Sequence, residues 1–234
     1  MASQTIRDAC IRAFLDLLAQ RPFERISLSD VAAHAGVALS EMRAEFSTPF
    51  DLLDGFMRQT DRQVLSEGTP EDGIDLEEPA RERLFEVLMR RLDALEPHRD
   101  AVASLARSAR RDPRLALALF TGSVRAQRWM LAAAGIDATG LEGDLRARGL
   151  AVLFTRLVEV WLKDEDPGLS RTMAQRRRTL TLHCDLRRAW GTSMRRALGC
   201  RPPSSPCAIR IRAKWVRKQQ DRIHDAEPPA SGAA

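Results

Sequence analysis

The sequence contains no tyrosine, only four cysteines and no long apolar run. Its cysteines include no CxxC pair, so they do not have the spacing of a zinc site or of a redox dithiol. No stretch approaches the roughly 20 apolar residues that cross a bilayer. The N-terminal residues also do not follow the charged, apolar, small-residue order of a signal peptide. We therefore expect a cytoplasmic protein without a transmembrane segment or a metal site, in which Cys10 belongs to the core of a helix.

The sequence also has few of the residue patterns that support catalysis. It contains no Ser/His/Asp or Cys/His arrangement and no Gly-rich phosphate loop. His34 and His98 are single histidines on predicted helices, and the carboxylates of "EDGIDLEE" fall in a linker that water should surround. These features predict a protein that is not an enzyme and that needs no cofactor.

Positive charge is concentrated in one part of the chain. Residues 1–170 carry 22 basic and 28 acidic side chains, whereas residues 171–222 carry 15 basic and 2 acidic ones. The pI near 9.5 therefore describes the C-terminal part rather than the predicted globular part. Three interpretations of the tail, residues 179–234, stay open. It is an arm that attracts DNA or anionic membranes, a disordered extension, or a sequence read out of frame.

Hydrophobic residues recur at helical spacing almost to residue 178, and no strand pattern interrupts them. The sequence therefore predicts an all-α fold. A capping box from Ser27 to Asp30 opens one short helix, and Gly36 supplies a tight turn after it. A second short helix is predicted over 39–46. The two helices and their turn are typical of a helix-turn-helix, in which the second helix enters the DNA major groove.

Signals for further helices follow. "TPFD" begins a fourth helix, with Thr48 as its cap, Pro49 in its first turn and Asp51 completing a second capping box. The acidic segment "GTPEDGIDLEEP" predicts a linker, and Asp112 with Pro113 begins a long helix beyond it.

Residues 5–57 resemble the N-terminal domain of TetR-family transcriptional regulators. The resemblance rests on "SLSDVAAHAGV" together with Met42, Phe46, Thr48 and Leu52. It implies a homodimer that binds a palindromic operator in double-stranded DNA and responds to a small apolar ligand or lipid. It also implies a DNA-binding domain over 1–57, and a helical ligand-binding and dimerisation domain over 58–178.

The same region departs from the family pattern at several positions. Ala38 replaces a capping serine, which we expect to cost about 0.5–2 kcal/mol of local helix stability. Arg43 stands where a tyrosine is usual and can donate to phosphate in its place. Glu45 should repel phosphate, and Pro49 offers no donor. Residues 1–57 hold 5 basic and 8 acidic side chains, so we expect weaker DNA binding than in a typical member.

Two sets of site residues follow from the resemblance. The candidate DNA-binding residues are Ser27, Val37, Ala38, Leu39, Ser40, Arg43 and Thr48. The candidate ligand-binding residues lie on apolar stripes of two long helices: Phe120, Val124, Trp129, Leu153, Phe154 and Leu157.

A second resemblance concerns the C-terminal half. "WLKDEDPGLSRTMA" and Trp129 in "RAQRWML" are similar to a lipid-binding family of ubiquinone biosynthesis that has a TetR-like fold and does not bind DNA. This resemblance implies a body that holds an isoprenoid or acyl ligand. The alternative function is therefore a lipid-binding accessory protein, and a test of DNA binding distinguishes it from a regulator.

Overall fold

Helix is the only regular secondary structure in residues 2–66 and 78–164, the ranges that the computed structural model describes. The helices are α1 (Ala2–Gln20), α2 (Leu28–Ala35), α3 (Leu39–Glu45), α4 (Pro49–Ser66), α5 (Ala80–Leu95), α6 (Arg99–Ala109), α7 (Pro113–Ala133) and α8 (Gly140–Trp161). The predicted all-α class is confirmed. Most of the predicted linker, the helix predicted from "DPGLSRTMA" and the tail over 179–234 lie outside the described residues.

The ends of the helices follow local chemical signals. At the start of α7, the Asp112 carboxylate accepts a hydrogen bond of 2.8 Å from the Arg114 N–H, and Pro113 occupies the first turn. Proline has no N–H to leave unpaired at that position, and its fixed φ suits a helix. Gly135 follows the end of α7 with a φ of 65°, which glycine adopts without strain.

Helix α1 lies at the centre of the N-terminal helices and packs against α2, α3, α4 and α6. Cys10, Phe14 and Leu18 lie on its buried face, at the spacing of successive helical turns. The prediction that Cys10 is a core residue is confirmed. Burial raises the pKa of the Cys10 thiol, and the nearby negative charge of Glu45 raises it further.

Helix α4 joins the N-terminal helices to the helical body. It packs against α1 as well as against α5 and α7, so residue 57, the predicted domain boundary, falls inside a continuous helix. The approach of α7 is close. A Cβ atom on Gly122 would lie only 2.6 Å from the sulfur of Met57, so the two helices meet where α7 has no side chain.

Helix α6 makes a second connection, to the segment between α1 and α2. The buried Ser104 hydroxyl donates to the Arg21 carbonyl at 3.1 Å. The hydroxyl of buried Ser108 accepts from the Phe23 N–H at 3.2 Å and donates to the Glu24 carboxylate at 3.1 Å. Residues from the body therefore satisfy backbone groups just before the helix-turn-helix, and the two parts share one hydrogen-bond network.

Helix α5 buries most of its surface in the body, while Glu82, Glu86, Arg90 and Asp93 form its less buried face. Helices α7 and α8 pack against each other, and α7 also packs against α5 and α6. The C-terminal end of α8 is fixed by Trp161, whose buried indole N–H donates to the Glu96 carboxylate at 2.8 Å. The Arg99 guanidinium covers the same ring at 5.0 Å from its centroid. Among the described helices, none has the length and apolarity needed to cross a bilayer.

Candidate nucleic-acid interface and helical body

The start of α2 is fixed by the predicted capping box, which the structure contains in full. The Ser27 hydroxyl accepts from the Asp30 N–H, and the Asp30 carboxylate accepts from the Ser27 N–H, both at 3.1 Å. These hydrogen bonds lower the pKa of Asp30. The Ser27 hydroxyl also lies 2.8 Å from the hydroxyl of Ser29, and both serines are exposed. An exposed helix N-terminus with two hydroxyls can donate to a phosphate.

The turn after α2 depends on Gly36, which has a φ of 66°. This left-handed conformation lets the Val37 N–H donate to the Ala32 carbonyl at 3.0 Å and sends the chain into α3. Val37 itself is partly buried against the core. It therefore holds the turn in position, and its contact with DNA stays a prediction.

Helix α3 begins with only half of a capping box. Ala38 has no side-chain acceptor, but its N–H donates to the Glu41 carboxylate at 3.2 Å. Leu39 and Ser40 occupy the first turn, and both are exposed, Leu39 with 57% of its surface accessible. An apolar and a hydroxyl side chain at this end of a groove-entering helix are suited to a thymine methyl group and to a phosphate or base edge.

Two buried anchors set the rotation of α3. Met42 and Phe46 are almost fully buried in the core, and Arg43, about 100° further around the helix than Met42, is exposed. The Arg43 guanidinium donates to the Ser47 hydroxyl at 3.1 Å, one turn further along the chain. Its remaining donors have no protein partner among the described contacts of this residue, so the side chain is available to an anion.

Glu45, which the sequence led us to expect would repel phosphate, is engaged elsewhere. Its carboxylate lies 2.7 Å from the Arg7 guanidinium of α1, and only 15% of its side chain is exposed. Arg7 in turn lies 6.0 Å from the centroid of the Phe46 ring. The charge of Glu45 is therefore balanced by Arg7 on the inner side of α3. It should repel DNA less than the net charge of residues 1–57 suggests.

At the start of α4, Asp51 accepts hydrogen bonds from the N–H groups of Ser47 and Thr48, at 2.7 and 2.9 Å. This carboxylate role was predicted. Thr48 and Ser47 are both exposed beside the C-terminal end of α3. The structure thus brings Ser27, Ala38, Leu39, Ser40, Arg43 and Thr48 to the exposed surface of one helix-turn-helix. Ser29 and Ser47 join them, and the hydroxyl-rich sequences "SLS" and "FST" were the signals that could have found them.

In the body, the candidate ligand-binding residues divide between surface and interior. Phe120 and Trp129 are exposed, Val124 and Leu153 are partly buried, and Phe154 and Leu157 are buried. The apolar stripes of α7 and α8 therefore do not form one continuous lining. Among the candidates, only Phe154 and Leu157 of α8 are buried.

The interior next to Phe154 contains a pair of charges that the sequence did not reveal. The Arg91 guanidinium of α5 lies 5.5 Å from the Phe154 ring centroid, and its Nη1 donates to the Asp61 carboxylate of α4. Only 4% of the Arg91 side chain is exposed. Gln127 of α7 is fully buried as well, and neither atom of its amide has a hydrogen-bond partner among the described residues. The described part of the chain holds no cluster of metal-ligating side chains.

Solved structures with the same architecture identify the fold. A TetR transcriptional regulator from Nitrosomonas europaea has 25% sequence identity and a TM-score of 0.59, over 75% of this chain and 96% of that one. The chain has the fold of the TetR family. A TetR regulator from Rhodococcus sp. has 22% identity and a TM-score of 0.52, over 78% of this chain and 97% of that one. A TetR-family regulator from Streptomyces coelicolor has 16% identity and a TM-score of 0.55, over 92% of this chain and 98% of that one.

No protein-family model and no curated protein matches the sequence. The TetR fold is therefore shown by structure, and its agreement with the motifs of residues 5–57 supports a TetR-type transcriptional regulator. In the TetR fold the exposed hydroxyls and Arg43 belong to the helix-turn-helix, and the Arg91–Asp61 pair belongs to the helical body.

Proposed function

We propose that this chain is a homodimeric, DNA-binding transcriptional regulator of the TetR type that responds to an apolar ligand held by its helical body. The observation that carries the proposal is that the core anchors α3 and leaves its candidate DNA-binding side chains exposed. Met42 and Phe46 anchor it, while Leu39, Ser40 and Arg43 face outward. The arrangement matches what a groove-entering helix requires.

The charges around α3 also support DNA binding. Glu45 is paired with Arg7, and Asp30 and Asp51 accept hydrogen bonds from backbone N–H groups at the starts of α2 and α4. The acidic residues nearest the interface therefore have partners within the protein. Arg43 is the exposed cation of α3 itself, so phosphate binding should depend on it strongly.

Two copies of α3 in a dimer would contact half-sites about 34–36 Å apart, or a multiple of that distance, on a palindromic operator. A ligand in the body would change the affinity for DNA by favouring one of two dimer geometries over the other. Both statements follow from the proposed TetR-type function.

The test is an unbiased selection of DNA sequences by the full-length protein, followed by binding measurements at several salt concentrations. We expect a palindromic sequence, bound with an affinity that falls steeply with salt. Arg43→Ala should weaken binding and reduce the salt slope by about one. Arg62→Ala is the matched control. It removes an equally exposed arginine near the far end of α4, and it should leave binding unchanged.

The alternative function is a lipid-binding accessory protein of ubiquinone biosynthesis, and one observation favours it. Trp129 is 58% exposed, and Leu117 and Phe120 are exposed on the same helix. Exposed tryptophan and apolar side chains suit a lipid surface. If the full-length protein selects no DNA sequence but copurifies with an isoprenoid or acyl lipid, this alternative replaces the regulator.

A further inference from the structure

The Arg91 guanidinium is an unusual group for the interior of a helical body. Its neighbours in α5, including Leu88 and Leu92, are also buried, and its guanidinium lies 5.5 Å from the centroid of the Phe154 ring of α8. A buried charge is stable only when it is paired and when its donors are satisfied. Arg91 meets the first condition through Asp61, but it does not meet the second.

The unsatisfied donor is the Nε–H of Arg91, which is buried without a hydrogen-bond partner among the described residues. Asp61 accepts from Nη1, so it does not occupy the edge of the guanidinium that contains Nε. A guanidinium binds a carboxylate through two parallel N–H donors, and the Nε edge supplies such a pair. Arg91 therefore has an unpaired Nε–H donor at a buried position, on the edge of the guanidinium that Asp61 leaves free.

The surroundings of this site restrict what can bind there. Phe154 covers the guanidinium, and Leu157 lies one turn further along the buried face of α8. A fully hydrated anion would lose much of its solvation in such a place. A molecule with a long apolar part and one carboxylate would bury its chain against the leucines and phenylalanine, and its charge on Arg91.

We infer that the ligand of the helical body is an amphipathic carboxylic acid whose carboxylate binds the Nε edge of Arg91. This inference rests on the proposed ligand-responsive function and specifies its ligand class. The second carboxylate would share the cation with Asp61 and weaken its hold on Arg91. Because Asp61 lies on α4, which continues from the helix-turn-helix, ligand binding would loosen the α4–α5 contact and so alter the placement of α3.

The experiment compares two probes with the same alkyl chain, dodecanoate and dodecanol, by calorimetric titration of the full-length protein below their aggregation limits. We expect wild-type protein to bind dodecanoate at least tenfold more tightly than dodecanol. Asp61→Asn should increase this preference, because the competing negative charge is removed. A loss of preference in Asp61→Asn protein whose circular dichroism matches that of wild type would overturn the inference, as would equal binding of the two probes or binding of neither by wild type.

Removing Arg91 alone would leave Asp61 buried without a partner, and the variant could fail to fold. The double variant Asp61→Asn with Arg91→Met removes both charges together and should bind the two probes equally. The matched control is Asp54→Asn with Arg125→Met. It removes an ion pair between α4 and α7 whose arginine is exposed, and it should keep the wild-type preference. A preference retained in the Arg91 double variant would show that Arg91 does not bind the carboxylate.

The outcome separates this inference from the regulator itself. If the protein selects an operator but does not distinguish dodecanoate from dodecanol, the ligand class is wrong and the regulator stands. If it prefers dodecanoate through Arg91 but selects no DNA, the carboxylate site stands and the regulator proposal fails.

Discussion

Gln127 offers the most direct test of how the helical body is packed. Its side chain on α7 is fully buried, and neither the nitrogen nor the oxygen of its amide has a hydrogen-bond partner among the described residues. Methionine has a similar length and an unbranched shape but needs no hydrogen bonds. Gln127→Met therefore removes two unpaired polar atoms and leaves the packing of α7 nearly unchanged.

The size of the effect follows from the cost of burying polar atoms. An amide buried without partners destabilises a folded protein by about 1–3 kcal/mol. Gln127→Met should raise the free energy of unfolding by a similar amount. For a chain of this size, each 1 kcal/mol shifts Tm by about 2–4 °C. The expected increase in Tm is therefore about 2–12 °C.

Urea denaturation followed by circular dichroism measures the change, provided that the m-value stays constant. Gln59→Met is the matched control. It makes the same substitution at an exposed position of α4, and it should change stability by less than about 0.5 kcal/mol. If Gln127→Met destabilises the protein by more than about 1 kcal/mol while the control does not, the amide has a partner in solution and the reasoning is wrong.

Two further predictions concern helix capping and pH. Ala38→Ser should complete the capping box that Glu41 half forms at the start of α3. It should raise the free energy of unfolding, measured by urea denaturation, by about 0.5–2 kcal/mol. No gain would mean that the α3 cap does not limit stability. Burial lowers the pKa of His98, with Asp16 opposing the shift, so the unfolded chain takes up a proton at a higher pH than the folded chain does. The free energy of unfolding should therefore fall as the pH is lowered from about 7.5 to 5.5, through the ordinary histidine pKa of about 6.5. His98→Gln should reduce that fall. Equal losses of stability in both proteins would contradict the assignment of the effect to His98.

The sequence predicted those parts of the fold that depend on residues close together in the chain. Ser27 and Asp30 are three positions apart, and their capping box needs only the local start of a helix. The cap of α7 by Asp112 is equally local. Helix type and the buried positions of Met42 and Phe46 follow from apolar spacing in the same way.

Contacts between distant segments could not be predicted from these patterns. The Arg7–Glu45 pair joins residues 38 positions apart, and the Arg91–Asp61 pair joins residues 30 positions apart. Nothing in either sequence window indicates which arginine will meet which carboxylate, because the crossing of helices decides it. The ion pair of Glu45 with Arg7 could not be predicted for this reason.

The apolar stripes of the body show a related limit. Apolar periodicity places Phe120, Trp129 and Phe154 on helices, but it does not show which side of each helix is covered by neighbouring helices. Phe154 is buried beside Arg91 of α5, whereas Trp129 remains exposed. That these residues bind a ligand stays a prediction. The Arg91 experiment tests it for the buried residues beside Arg91.

The two serines of α6 have a consequence for protein engineering. Ser104 and Ser108 supply hydrogen-bond partners to Arg21, Phe23 and Glu24, which precede the helix-turn-helix. A hybrid regulator made by joining residues 1–57 to the body of another protein would lose these partners and leave polar groups unpaired. A functional exchange of DNA specificity would have to transplant both serines together with the N-terminal helices, or confine the substitutions to the exposed face of α3.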